Sequence, residues 1–334
     1  MIGQPGQPAE ITRARFSAVD LAKLAAAAAV VWIHVVSCDA SQELLPLCRF
    51  AVPFFTCAAV YFLLQKISFE KIPVRDYCLQ RARRLYLPFL WWSGVYLAAR
   101  FLKHAVTGFG SPIVFSPALL LNGTAHHLWF LPFICLASMA TLLAVKCLGH
   151  PREGREPYWV LALAGAGMLL ARTPCPVIIE TKEFPLSYFI DHAWDVLPAV
   201  FFGAALFWLL RIFRPGLVAR GFALSLVLIS VAWEFIYDVN SISPHLAGAS
   251  LLFFTATQVN RDWMKSIWPW AQLAFVIYLV HVLFVEALQT VSVRFGGEKS
   301  LPADLSIWAL SLVVSGIIAR LISRFRSLAW AFPR

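Results

Sequence analysis

The 334 residues are 60% hydrophobic and only 14% charged, with a mean hydropathy of +0.72. A soluble domain of this size cannot hide that much apolar surface, which implies a polytopic membrane protein. The net charge of +10 does not indicate nucleic acid, because the basic residues lie between apolar runs and suit anchoring to the anionic cytoplasmic leaflet.

In chain order, the apolar runs give about ten spans, at 19–36, 47–64, 85–102, 128–148, 159–171, 193–210, 217–236, 246–259, 268–288 and 305–322. The expectation is an all-α integral membrane bundle of about ten transmembrane helices, one membrane-embedded domain over 1–334. Segments 1–16 and 324–334 are its cytoplasmic tails. Spans five and eight are short for a helix that needs about 20 residues to cross. With the N-terminus inside and every run crossing, twenty of the 28 Lys and Arg residues fall on the cytoplasmic side and seven outside, with Lys23 just within the first span. That asymmetry supports cytoplasmic N- and C-termini. No cleavable signal peptide is expected, since the residues before Arg13 are polar and the first apolar run lacks a small-residue cleavage site.

Histidines show the opposite bias. His34, His104, His126, His127, His192, His245 and His281 fall in the outer half or beyond, and only His150 is cytoplasmic. Acids gather at the outer ends too: Asp39, Asp191, Asp195, Glu234, Asp238 and Glu286. This pattern suggests a polar chamber open to the outside. The seven cysteines form no CxxC pair and mostly sit in apolar runs, as small hydrophobes do. A Cys38–Cys48 bridge outside the membrane is one option.

The run 24–36 is apolar except for His34. An ionisable group at membrane depth is costly and has no cheap packing rationale, so function is the first hypothesis. An imidazole titrates near neutral pH and suits a general base that takes a proton from a hydroxyl. Asp39 is a candidate to orient the ring, although a spacing of five is poor on a helix. Lys23 lies eleven residues earlier, about 16 Å along a helix axis, near the opposite surface.

Further along, Arg81, Arg83 and Arg84 enter the third span from the cytoplasm. They can grip the phosphates of a nucleotide-containing donor, or simply anchor the loop as any positive-inside cluster does. His126, His127 and Trp129 open the fourth span and can face a saccharide, or form an interfacial aromatic belt. Tyr278 and His281 share a face of the ninth span, where a helix–helix hydrogen bond is the structural alternative. No P-loop, dinucleotide fingerprint, hydrolase elbow or HExxH occurs. No metal is expected, the His126-His127 doublet being weak metal spacing.

Taken together, these blocks resemble the membrane acyltransferase-3 family, which O-acylates bacterial surface carbohydrates. The family's opening pattern stands here as Arg15-x4-Asp20-x2-Lys23-x10-His34. Phe54-Phe55…Tyr61-Phe62-Leu63, then Arg81, Arg84 and Pro88, then Leu128-Trp129-Phe130-Leu131, then Ile277-Tyr278-Leu279-Val280-His281 follow in the family's order. Two departures stand out. Lys23 replaces the usual Arg, keeping charge but losing the planar fork. Ala58-Ala59-Val60 stands where a Ser-Gly often precedes the aromatic signature.

The resemblance implies a multi-pass protein of the bacterial inner membrane. It implies acetyl-CoA as a cytoplasmic acyl donor, held by Lys23, Arg81, Arg83 and Arg84, and His34 as the essential catalytic residue. The acceptor would be an extracytoplasmic or undecaprenyl-linked saccharide of an exopolysaccharide, capsule or O-antigen, delivered with the polysaccharide assembly machinery. Asp39, His126, His127, Trp129, Tyr278 and His281 are the candidate acceptor-binding residues. Direct transfer and an acyl-enzyme both remain open. Rival readings are a polysaccharide exporter or proton-coupled transporter with His34 as relay, a succinyl or other acyl transferase acting on a small secreted metabolite, and a non-catalytic scaffold.

Overall fold

A computed structural model describes residues 17–70, 72–108, 115–149, 154–177, 185–237, 242–258 and 268–322. Arg13, Arg15, His150, Asp238 and both tails lie outside these residues. Ten helices of 14 or more residues appear, with no strand among the described residues. They are α1 (Ser17–Val35), α2 (Ala51–Phe69), α3 (Leu87–Thr107), α4 (Phe130–Leu148), α5 (Glu156–Leu170), α6 (Leu186–Ile212), α7 (Leu217–Tyr237), α8 (Ser243–Ala256), α9 (Ala274–Arg294) and α10 (Leu301–Ile322).

Each helix coincides with one apolar run, but only seven are long and apolar enough to cross a bilayer. These are α1, α2, α4, α6, α7, α9 and α10. Helices α5 and α8 have only 15 and 14 residues. Helix α3 is long enough, but Arg100, Lys103 and His104 dilute its last turns. Large apolar side chains on α7, such as Leu217, Val218, Leu228 and Ile229, are exposed. Such an apolar outer face suits lipid rather than water.

Helix α2 is the axis of the bundle. Gly203 of α6 lies so close to it that a Cβ would sit 2.6 Å from the Cys57 carbonyl oxygen. Gly248 of α8 meets α2 one turn away, where a Cβ would lie 2.7 Å from the Phe54 nitrogen. The Cys57 thiol donates to the Ala199 carbonyl of α6 at 3.1 Å. Lipid tails are as apolar as leucine, so helices in a bilayer gain little from hydrophobic burial and depend on close packing of this kind.

Between α2 and α3 runs a short helix, Val74–Arg81, followed by a π-helical turn, Ala82–Tyr86. Arg83 and Arg84 sit on that turn. Short segments Asp39–Gln42, Leu45–Leu47, Leu119–Asn122 and Trp268–Ala271 complete the described connections. All seven cysteines are free thiols, so the Cys38–Cys48 bridge is not formed. Both residues instead belong to the turn that carries the chain from α1 to α2, and Cys38 lies 3.1 Å from the Ser41 hydroxyl.

Candidate active site

Three imidazoles from distant parts of the chain meet inside the bundle. His34 comes from the last turn of α1 and His281 from the second turn of α9. His127 comes from the turn that precedes α4. Their ring centroids are 5.2 Å apart for His34–His281, 5.2 Å for His127–His281 and 5.8 Å for His34–His127.

Local sequence explains how His127 arrives there. Gly123 has φ +72°, and a Cβ at that position would lie 2.8 Å from the Leu128 Cβ. Only glycine fits both the left-handed backbone and the close approach. The Tyr278 hydroxyl then donates to the His127 carbonyl, and Tyr278 packs edge-on against the His127 ring at 5.4 Å. Tyr96 of α3 packs edge-on against the other side at 5.1 Å and donates its hydroxyl to the Leu279 carbonyl at 2.8 Å. Both phenols are therefore committed to the backbone and hold the cluster in place.

Hydrogen bonding sets the chemistry of each ring. His281 Nδ1 lies 3.0 Å from the Ile277 carbonyl and 2.9 Å from the Tyr278 carbonyl. Carbonyls only accept, so Nδ1 carries the proton and Nε2 keeps its lone pair. That Nε2 is buried with no partner among the described residues. Both ring nitrogens of His127 are likewise buried and unpartnered, the Leu279 carbonyl lying nearby but outside hydrogen-bond geometry. His34 is only half buried, and its ring makes no hydrogen bond among the described residues. Buried polar groups normally find partners. Three adjacent rings with unused nitrogens are what a proton-transfer site requires.

The end of α1 that carries His34 is clamped by residues the sequence did not single out. Asp304 of α10, 1% exposed, accepts from the Ser37 backbone N–H at 2.9 Å and the Ser37 hydroxyl at 2.7 Å. Gln289 of α9 donates to the Val35 carbonyl at 2.9 Å, and Trp308 Nε1 donates to the Ala28 carbonyl at 2.9 Å. Asp39, the expected orienting acid, is exposed and makes no side-chain hydrogen bond among the described residues. It points away because it starts a new short helix after the chain has turned. Asp304 does the anchoring. Its signal was an acid opening the last apolar run, two residues after Pro302.

Beyond this clamp lies a cleft of about 880 Å³, lined by Ser37, Lys103, Glu286, Gln289, Thr290, Arg294 and Asp304 among others. Lys103 and Glu286 pair across it at 3.5 Å. Val36 and Ser37 form part of its wall, so it begins within one helical turn of His34.

The other sequence candidates lie in three places. His126 is exposed and stands 5.9 Å from the Tyr188 ring. Trp129 faces α6, against Phe133 and His192, in a separate aromatic cluster. Lys23 pairs with Asp20 at 3.1 Å and lies 5.3 Å from the Phe62 ring centroid. Arg81 donates Nε–H to the Tyr77 hydroxyl at 2.6 Å and stacks over that ring. Burial raises the Tyr77 phenol above its ordinary value, with Arg81 opposing, so the phenol that accepts is neutral. Arg83 and Arg84 are exposed. None of these cations reaches the histidine cluster. Among the described residues, no group of three or more His, Cys, Asp or Glu side chains is placed to hold a metal ion.

The family model of the acyltransferase domain matches residues 16–322. The chain belongs to the acyltransferase-3 family. The match spans every described helix and all three histidines. It is a multi-pass membrane enzyme. Searches of the curated proteins and of the solved structures return no match.

Proposed function

We propose that this acyltransferase moves an acetyl group from cytoplasmic acetyl-CoA to a hydroxyl of an extracytoplasmic saccharide, free or undecaprenyl-linked, at the bacterial inner membrane. In this reading α3, α5 and α8 cross together with the seven helices that are long and apolar enough to span, both termini are cytoplasmic, and the polymer served is an exopolysaccharide, capsule or O-antigen. The observation that carries this reading is the meeting of His34, His127 and His281, with unused ring nitrogens, next to a polar cleft. Positive-inside charge puts that cleft outside and the Lys23 end of α1 inside. The amide, hydroxyl and mixed-sign lining of the cleft suits a polyhydroxylated acceptor.

In the reaction, His34 takes the proton of the acceptor hydroxyl. The oxygen bonds to the acetyl carbonyl carbon, giving a tetrahedral adduct. A neutral imidazole has one N–H, and that of His127 has no protein acceptor of standard geometry, so it is available to the developing oxyanion. The adduct collapses with cleavage of the C–S bond. The CoA thiolate leaves and recovers the proton from the His34 imidazolium, restoring the neutral base. His281, whose ring lies 5.2 Å from that of His34 and keeps a lone pair on Nε2, stabilises the imidazolium while it exists. Tyr278 acts by holding His127, and Asp304 by holding α1.

The test is acetyl-CoA turnover by the purified protein in nanodiscs, read as free thiol, for wild type and His34→Ala. The expected result is turnover by wild type and a loss of about 10²- to 10⁴-fold in the variant, the range for removing a general base. Absence of wild-type turnover would overturn acetyl-CoA as the donor, and undiminished turnover by His34→Ala would overturn the role of His34.

A further inference from the structure

A second polar site lies near the opposite end of the bundle, between the C-terminal ends of α2 and α6. It is a groove of about 280 Å³ whose lining includes Tyr61, Gln65, Ser68, Phe207 and Arg211. Tyr61, Gln65 and Ser68 fall at i, i+4 and i+7, one face of α2. The Ser68 hydroxyl donates to the Leu64 carbonyl at 2.8 Å, whereas the polar groups of Tyr61 and Gln65 are not used up inside the protein. Tyr61 is only 6% exposed, yet its hydroxyl has no hydrogen-bond partner among the described residues. The Gln65 carboxamide has none either.

Arg211 closes the groove. Its guanidinium carbon lies 5.7 Å from the Phe207 ring centroid and 5.4 Å from that of Trp208. Its one hydrogen bond is a long one, 3.4 Å to the Ser68 hydroxyl, and no carboxylate pairs with it among the described residues. Lys23, Arg49, Lys66 and Lys103, by contrast, each pair with a carboxylate, from Asp20, Glu234, Glu70 and Glu286 in turn. Stacking on two aromatic rings fixes the plane of the Arg211 guanidinium while leaving its fork open to an anion.

A buried phenol and a carboxamide without partners, an aromatic wall and an uncompensated planar cation together describe a site for a flat, anionic ligand. We infer that this groove holds the nucleotide end of the acyl donor. Arg211 takes a phosphate, the purine lies against the exposed Phe69 on the groove wall, and Gln65 and Tyr61 bond to its polar edge. At about 280 Å³ the groove is at the small end for a ligand pocket, so it takes one end of the donor only. Aromatic contacts connect it to Lys23, from Phe207 through Tyr61 (6.3 Å) and Phe62 (5.2 Å), with Lys23 over Phe62. Those contacts set the groove and Lys23 at the same end of the bundle, so the donor's linear arm would run from Arg211 past Lys23 towards His34. The inference rests on the proposed acetyl-CoA donor and on this end facing the cytoplasm.

The test is calorimetric titration of CoA, and separately of adenosine 3′,5′-bisphosphate, into the full-length protein in nanodiscs. Arg211→Ala is expected to weaken both ligands about 10- to 100-fold, the scale of a lost charge-assisted phosphate contact. Arg211→Lys is expected to fall between, keeping charge without the fork, and Gln65→Ala to weaken both ligands severalfold. Arg214→Ala, an exposed cation three residues away, is the charge-matched control and is expected to bind as wild type. Size-exclusion profiles confirm that each variant is folded. If wild type binds CoA and Arg211→Ala binds equally well, or if Arg211→Ala and Arg214→Ala weaken it alike, the groove assignment is wrong while the donor stands. If wild type binds no CoA, the donor reading falls and the assignment falls with it.

Discussion

Asp304→Asn separates the anchoring of His34 from its chemistry. The carboxylate is buried and accepts two hydrogen bonds from Ser37, three residues past His34. Asparagine keeps one acceptor oxygen and places an NH₂ where the second stood. Either the Ser37 backbone N–H loses its partner or the hydroxyl must rotate to accept. A hydrogen bond to a charged group contributes about 1.5–3 kcal/mol, so the variant is expected to lose roughly that much stability. Asp304→Ala removes both bonds and is expected to lose about 3–5 kcal/mol. The larger effect is geometric. Ser37 fixes the end of α1, and misplacing a catalytic group by about 1 Å can cost about 10²-fold in rate. The assay is acetyl-CoA turnover in nanodiscs alongside the thermal unfolding midpoint. Asp304→Asn should lower kcat about 10- to 100-fold with the donor KM unchanged, and Asp304→Glu should not restore it, because one more methylene overfills the buried site. Wild-type kcat in Asp304→Ala, with an unchanged unfolding midpoint, would refute the anchoring role.

Two other predictions concern packing and the cluster. Gly203→Ala pushes a methyl into the α2 backbone at Cys57, so overpacking should lower stability by about 1–3 kcal/mol, read from unfolding in mixed micelles; an unchanged midpoint means the α2–α6 crossing is looser than described. Tyr278→Phe deletes the bond to the His127 carbonyl and should cost about 0.5–1.5 kcal/mol while lowering turnover through His127. Unaltered kcat in a Tyr278→Phe variant that has lost stability would remove His127 from the mechanism.

The helices were legible because each is an apolar run, but their ends were not. Span six was expected at 193–210, whereas α6 begins at Leu186. Tyr188, Asp191 and His192 lowered the local hydropathy and hid two helical turns. Span nine was expected from residue 268, whereas the helix that carries His281 begins at Ala274, after a separate short turn at Trp268–Ala271. Hydropathy cannot distinguish one apolar helix from two joined by a kink. Residues 82–86 likewise read as ordinary helix, and nothing in Arg-Arg-Leu-Tyr announces a π turn.

At the site, all three histidines were visible as polar residues in apolar surroundings, since a desolvated imidazole stands out in any hydropathy scan. Their convergence was not visible, because it depends on the long-range packing of α1, α9 and the Gly123 turn. Asp304 was missed for the same reason: a buried acid acquires meaning only when its donors, 267 residues away in sequence, are known. Tyr96 was concealed within an aromatic-rich run that reads as an interfacial belt. The Arg211 groove was missed because Arg211 looks like any other positive-inside residue until its aromatic shelf and the unpartnered Tyr61 are seen together.

The central claim is that His34 is the base for acetyl transfer to a surface saccharide. The most direct measurement is the O-acetyl content of the host's surface polysaccharide in wild type, a gene deletion, and His34→Ala at matched membrane abundance. The proposed function predicts that deletion and His34→Ala both lose O-acetyl groups while polymer is still exported. Full acetylation in His34→Ala, with its loss in the deletion, would contradict the role given to His34, and loss of the polymer itself would contradict acetyl transfer.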